Sequence, residues 1–190
     1  MKKIITAAIF ALLALPSVAS ATDIKPYAGI GLGGFGLEYT DTTGSINKTA
    51  FGGYANFGAD FSDYFGAELR IGATGSVSKA LSTTTLTLKV PSFFSYLAKV
   101  QFPATPDFKL YGLVGGTTAG FKGTNTRGFN STETKTGLSY GAGADYTVQD
   151  QLSIGAEWVQ YWNKVNLPTT WGTNAEAKIW GAVITAKYQF

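Results

Sequence analysis

Apolar and polar residues alternate along most of the chain after Pro26, with the period of two that is typical of strands whose two faces meet different surroundings. In segment 180–190, for example, Trp180, Ile184 and Tyr188 fall on one face, while Lys187 falls on the other. Eight such segments are predicted as strands, and they are 27–39, 51–61, 65–73, 86–102, 108–118, 138–148, 152–162 and 180–190. Most exceed the ordinary strand length of about 5–6 residues and reach the roughly 9–11 that a tilted strand needs to cross a bilayer.

Two of these segments are less regular than the others. In segment 27–39 the apolar positions change phase at Gly33 and Gly34, as a β-bulge would require, and this places Glu38 on the polar face. Segment 86–102 is interpreted as one continuous strand with Lys89 and Lys99 on its polar face.

The connections between the predicted strands alternate in length. Short turns are predicted at 62–64, 103–107 and 149–151, whereas longer loops rich in Thr, Ser, Asn and Gly are predicted at 40–49, 75–84, 120–135 and 164–176. An even number of strands with short turns at one end and long loops at the other is typical of outer-membrane barrels. The predicted fold is therefore all-β, an eight-stranded antiparallel up-and-down transmembrane β-barrel, closed because an open edge in lipid would leave backbone groups unsatisfied.

A soluble eight-stranded barrel would also alternate, but with its apolar face turned inward. The ends of the apolar faces carry aromatic residues, which form interfacial girdles in membrane barrels. These residues are Phe61, Phe65, Phe102, Phe108, Tyr146 and Tyr188 near the short turns and Phe51, Trp162 and Trp180 near the loops. They favour the membrane barrel, with the apolar face toward lipid.

The first residues have the order of a secretory signal. Lys2 and Lys3 precede an apolar run over 4–15, and the small residues Ala19 and Ala21 form a cleavage-type site. The prediction is a signal peptide over 1–21 and a barrel domain over 22–190. Removal of the two lysines lowers the formal net charge from +3 to +1, so the basic pI is no argument for a nucleic-acid partner.

The sequence resembles the eight-stranded outer-membrane proteins of Gram-negative bacteria, of the OmpA-transmembrane-domain, OmpX and opacity-protein type. The resemblance lies in the signal segment, in the stretch Gly137–Trp158 and in the terminal Tyr188-Gln189-Phe190. It implies a monomer in the outer membrane, surrounded by lipids that include lipopolysaccharide. It also implies insertion by the barrel-assembly machinery, which in this family reads a C-terminal aromatic strand, here Ile184, Tyr188 and Phe190.

The polar faces of the predicted strands carry a balanced set of charges. They are Glu38, Asp60, Glu68, Asp145 and Glu157 against Arg70, Lys89, Lys99, Lys109 and Lys187. Side chains just fill an eight-stranded barrel, and isolated buried charges are costly, so an ion-pair network is expected to plug the lumen. Arg70 is expected to bridge carboxylates through its forked guanidinium. A gated pore in which these pairs exchange partners is the alternative.

The composition limits the chemistry. The sequence has 0 Cys and 0 His, which removes thiolate nucleophiles and the commonest general base. The barrel enzymes related to this family rely on histidine, so the expectation is a non-enzymatic protein without a cofactor or metal. Its predicted role is envelope integrity or adhesion to a host or surface ligand through the loops, and a narrow pore is the alternative. The candidate loop contacts are Lys122, Arg127, Lys135 and Trp171.

Overall fold

The computed structural model describes residues 24–42, 44–81 and 84–190. The predicted signal peptide over 1–21 lies outside these residues, and its cleavage stays a prediction. The strands are β1 (Lys25–Asp41), β2 (Gly44–Asp60), β3 (Phe65–Thr74), β4 (Ser76–Leu81), β5 (Thr84–Lys89), β6 (Phe93–Pro103), β7 (Phe108–Asn125), β8 (Asn130–Gln149), β9 (Leu152–Asn166) and β10 (Glu176–Gln189). A short 3₁₀ turn covers Thr169–Trp171. Among the described residues no helix is long and apolar enough to span a membrane.

Eight of the ten strands close into a ring in the order β1, β2, β3, β6, β7, β8, β9, β10, and every neighbouring pair is antiparallel. The closing pair joins β1 to β10 from Tyr27 opposite Gln189 to Thr40 opposite Glu176. Closure leaves no free edge along this seam, as a spanning sheet requires. The predicted eight-stranded antiparallel barrel is confirmed.

Large apolar side chains cover the outside of the ring. Ile71, Phe65 and Phe102 each expose about 60% of their surface or more, and Phe51 exposes 72%. The inward positions of the same strands hold charged, polar or tightly packed residues. The outer surface therefore has the composition that contacts lipid, with aromatic rings near both ends.

The predicted strand over 86–102 is wrong, because it is two strands separated at Val90–Ser92. Pro91 lies in the break, where it cannot donate to a ladder. The interruption reverses the inward face, so that Leu88 and Val90 are fully buried and Lys89 points outward. β4, in the region 75–84 that was predicted as a loop, forms a hairpin with β5, and β5 pairs with β7 outside the ring.

The predicted phase change in β1 is also wrong. The register of β1 with β2 and with β10 runs without a shift through Gly33 and Gly34. A Cβ at Gly33 would clash with the Ala182 carbonyl oxygen, so this glycine permits close backbone approach rather than a bulge. Phe35 therefore stays inside and Glu38 faces outward.

A bulge does occur in β9. Ile179 of β10 faces Trp162, whereas the next residue, Trp180, faces Gln160, so β9 carries one extra residue at Tyr161. The predicted lipid-facing position of Trp162 is consequently wrong, because the bulge turns this side chain into the interior, where it is fully buried.

The two ends of the barrel differ in their connections. The tight turns lie at 61–64, 104–107 and 150–151 and define what we call the turn end. At the opposite, loop end, β1–β2, β4–β5 and β7–β8 continue as hairpins beyond the ring, and the β9–β10 connection folds back through the 3₁₀ turn. Much of the sequence predicted as loop is thus sheet.

Candidate functional site

Paired charges fill the turn half of the barrel interior. Seven of the ten predicted lumen residues are buried there and form what we call the turn-half network: Asp60, Glu68, Arg70, Lys99, Asp145, Glu157 and Lys187. They come from β2, β3, β6, β8, β9 and β10, so the network connects strands around the ring. Inward-facing alternation on each strand brings them together.

Arg70 lies at the centre of this network. Its Nε donates to Glu68 Oε1 at 2.5 Å, and its Nη1 and Nη2 donate to the two Glu157 carboxylate oxygens at 2.5 and 2.8 Å. The Tyr161 hydroxyl accepts from Nη1 at 3.1 Å, and the guanidinium stacks 4.5 Å from the centre of the Tyr54 ring. One planar cation therefore joins two carboxylates from opposite sides of the barrel.

Tyrosine hydroxyls complete the coordination of the carboxylates. Tyr27 donates to Glu68 Oε2 at 2.8 Å, and Tyr54 and Tyr111 donate to Glu157 at 2.6 and 3.0 Å. These bonds satisfy oxygens that would otherwise lie buried without a partner. Each of the four carboxylate oxygens of Glu68 and Glu157 thus accepts at least one hydrogen bond from Arg70 or a tyrosine.

Two further pairs lie toward the turn end. Lys99 Nζ lies 2.7 Å from Asp60 Oδ1, and Lys187 Nζ lies 2.9 Å from Asp145 Oδ2. Each ammonium also stacks 4.4 Å from a tyrosine ring, that of Tyr27 for Lys99 and that of Tyr111 for Lys187. Arg70, Lys99 and Lys187 therefore each contact at least one carboxylate and one tyrosine ring.

The other three predicted lumen residues lie elsewhere. Lys109 is half-buried near the turn end, on the same strand face as Tyr111. Glu38 faces outward near the loop end, 3.7 Å from Lys178 Nζ, and accepts from Trp180 Nε1 at 3.2 Å. Lys89 lies exposed on the outer face of β5. The predictions that Glu38 and Lys89 face the lumen are wrong. β1 has no phase change before Glu38, and the break between β5 and β6 turns Lys89 outward.

Packed aromatic rings fill the loop half of the interior. The central ring of Phe35 lies 5.9 Å from both Phe93 and Tyr161, and Phe121 lies 6.3 Å from Trp162. We call this set, together with Tyr39, Phe129 and Trp171, the aromatic plug. The contacts are tilted or offset, which is the favoured geometry for aromatic pairs.

Trp171 is the outermost member of the aromatic plug. It is buried and lies 5.5 Å from Phe121 and 5.3 Å from Phe129, so it does not extend freely toward a ligand as predicted. The Tyr39 hydroxyl donates to its carbonyl oxygen. Burial, followed by the neighbouring Asp41 carboxylate, raises the pKa of Tyr39 above its usual range, so the hydroxyl keeps its proton. The connection between β9 and β10 therefore covers the loop end of the interior.

The remaining candidate residues lie at the loop end and on the C-terminal strand. Arg127 is exposed at the tip of the β7–β8 hairpin, and Lys122 is half-buried on the outer face of β7. Lys135 is exposed on β8, but on the side that faces inward in the ring, because its register partner is the buried Ala119. Ile184, Tyr188 and Phe190 all point outward from the C-terminal strand. No group of three or more His, Cys, Asp or Glu side chains suited to a metal occurs in the part of the chain that the structure describes.

Sequence reasoning missed the aromatic plug. The unbroken odd positions Phe35, Leu37 and Tyr39 would have indicated an apolar interior if Gly33 and Gly34 had been taken as part of a regular strand. Pro91 would have indicated the reversal that buries Leu88. The bulge that turns Trp162 inward has no signal in the sequence.

A family model described as the outer membrane protein beta-barrel domain matches residues 5–190. The chain belongs to this family. Its members lie in the outer membrane of Gram-negative bacteria. None of the curated protein sequences is a significant match.

Solved structures agree with the fold. The Neisserial surface protein A is similar with a TM-score of 0.58 and 16% identity, over 88% of this chain and 97% of that chain. Ail, the attachment invasion locus protein of Yersinia pestis, solved with the heparin analogue sucrose octasulfate, has a TM-score of 0.54 and 18% identity, over 87% and 99%. The N-terminal barrel of Pseudomonas aeruginosa OprF has a TM-score of 0.54 and 17% identity, over 86% and 97%. These identities support a shared barrel.

Proposed function

We propose that this outer-membrane barrel is a closed, non-enzymatic surface protein that contributes to envelope integrity and attaches to anionic surface ligands through its loop end. The filled interior carries the proposal. The turn-half network and the aromatic plug occupy successive parts of the lumen, and each is buried and internally paired. A barrel of this size has no room for both these side chains and a water-filled channel.

The loop end supports the attachment part of the proposal. Arg127 and Lys135 are exposed there, and the only acidic residue between them, Glu133, accepts a hydrogen bond from Ser131. Exposed cations attract anionic ligands over several ångströms. That Ail was solved with a sulfated heparin analogue makes a sulfated glycan the natural first probe. The absence of His and Cys from the sequence supports a non-enzymatic role.

Planar-bilayer conductance tests the closed interior. The purified barrel is expected to give no steps above the lipid baseline. No current should flow, because the Arg70 ion pairs and the aromatic rings leave no continuous water path through the barrel. Discrete, ohmic steps from wild-type protein would instead support the narrow-pore alternative.

Binding to heparin tests the attachment. The double variant Arg127→Gln/Lys135→Gln should weaken heparin binding by whole cells several-fold, because two exposed charges at the loop end are lost. Lys25→Gln, which removes an exposed charge at the turn end, is the control and should bind as wild type does. Equal binding by all three proteins would contradict attachment through these residues.

A further inference from the structure

Two lysines lie side by side on the outer face of the sheet beyond the barrel ring. β5 pairs with β7 so that Lys89 faces Lys122 directly, and their strand neighbours Leu88 and Phe121 are fully buried on the other face. The register extends this row across four strands, with the members Ser76, Lys89, Lys122 and Thr132. Adjacent strands are about 4.8 Å apart, so the two ammonium groups can reach a single anion.

This pair lacks a neutralising carboxylate. Like charges directly opposite each other on a sheet are destabilising. In the described part of the chain neither lysine has an acidic group within ion-pair distance. The outward positions of β4, β5, β7 and β8 around the pair are hydroxyl, amide or small residues, among them Ser76, Thr87, Gly120, Thr124, Asn130 and Thr132. Glu133 faces the opposite side, because its register partner is the inward Phe121.

The height of Lys89 and Lys122 above the apolar outer surface indicates which kind of anion they can bind. Outward apolar residues on β7 and β8 end at Val114 and Leu138, and the Thr118–Thr136 pair is the first fully polar one beyond them. Lys122 follows Thr118 by four residues, about 13 Å along a strand, or about 10 Å in height at a tilt of about 40°. Lysine stems can extend back toward the membrane by several ångströms. The ammonium groups therefore reach the level of the lipid headgroups.

We propose that Lys89 and Lys122 form a binding site for a phosphate group of lipopolysaccharide, assisted by the hydroxyl groups of Ser76 and Thr132. The site faces sideways along the membrane, which favours a lipid headgroup over a ligand approaching from solution. Bound phosphate relieves the repulsion between the two ammonium groups and makes charge-assisted hydrogen bonds with them. The inference rests on the proposed role as a surface barrel in the outer membrane.

Titration of the refolded full-length barrel with defined anions tests the site. The probes are diphosphorylated lipid A, dephosphorylated lipid A, inorganic phosphate and heparin. Lys89→Gln/Lys122→Gln should lower the affinity for diphosphorylated lipid A by about tenfold or more, since each surface cation contributes appreciably to anionic-lipid binding. The matched control Lys48→Gln/Lys164→Gln removes two exposed charges elsewhere at the loop end and should change it less than about twofold. Heat-modifiable gel mobility shows that each variant is folded.

Three outcomes would overturn the proposal. In the first, the Lys89/Lys122 double variant binds diphosphorylated lipid A as wild type does. In the second, inorganic phosphate binds wild type as tightly as lipid A, which would indicate a site for a free anion. In the third, the variant loses heparin binding alone, which would indicate a glycan surface. None of these outcomes depends on Arg127 or Lys135, so the heparin attachment proposed above can fail or succeed separately.

Discussion

The two halves of the barrel interior are filled by different physical means. In the turn half, Arg70 binds Glu68 and Glu157, and the other two carboxylates pair with Lys99 and Lys187. In the loop half, aromatic rings around Phe35 and Trp162 pack without charge. Breaking a buried pair leaves an uncompensated charge, whereas trimming a packed ring leaves a cavity. The turn half should therefore be sensitive to loss of charge and the loop half to changes in shape.

The largest loss of stability is expected when the central cation, Arg70, is removed. Arg70→Ala leaves Glu68 and Glu157 buried without their shared partner and should lower the free energy of unfolding by about 3–5 kcal/mol. Urea unfolding followed by tryptophan fluorescence measures this change. Lys99→Ala removes one pair near the turn end and should cost less, and Lys178→Ala, at a partly exposed position, is the control.

Restoring the charge balance sharpens the same test. Arg70→Met combined with Glu68→Gln and Glu157→Gln removes the charges together and should recover much of the lost stability, because no ion then remains unpaired. If Arg70→Ala unfolds at the wild-type urea concentration, the turn-half network does not stabilise the barrel.

The loop half should respond to added volume. A Cβ at Gly123 would lie 2.5 Å from Trp171 Cζ3, so Gly123→Ala should displace the aromatic plug and cost about 1–3 kcal/mol. Hydrogen exchange should then accelerate in segment 167–175. Gly120→Ala, on the same strand, is a matched control because its Cβ would meet nothing closer than 3.6 Å. Equal exchange rates in the two variants would contradict the close packing of Trp171.

The smallest effect is expected outside the interior. Glu38 and Lys178 form a partly exposed pair at 3.7 Å, and exposed pairs contribute about 0–1 kcal/mol. Glu38→Gln should therefore leave the unfolding midpoint nearly unchanged, and the difference should vanish in high salt. A loss comparable to that of Arg70→Ala would place Glu38 in the interior, as the sequence interpretation had it.

Local sequence determined the architecture and the turn-half charges. Alternation with period two predicted the eight-stranded ring, because one face must meet lipid and the other the lumen, and the same parity placed Glu68, Arg70 and Glu157 inward. Where the inward face of a strand was predicted incorrectly, the cause was local backbone geometry. Glycines at 33 and 34 serve both bulges and close strand approach, so the position of Glu38 could not be predicted from them.

The closed barrel, its outer-membrane location and the charge-bearing strands could therefore be predicted from the sequence, since each depends on a repeating pattern along one strand. Which residues meet across strands depends on the folded barrel. The bulge that buries Trp162, the fold-back that brings Trp171 onto Phe121 and the register that sets Lys89 beside Lys122 all join residues distant in sequence. Such contacts depend on strand register and packing, which the pattern along a single strand does not encode.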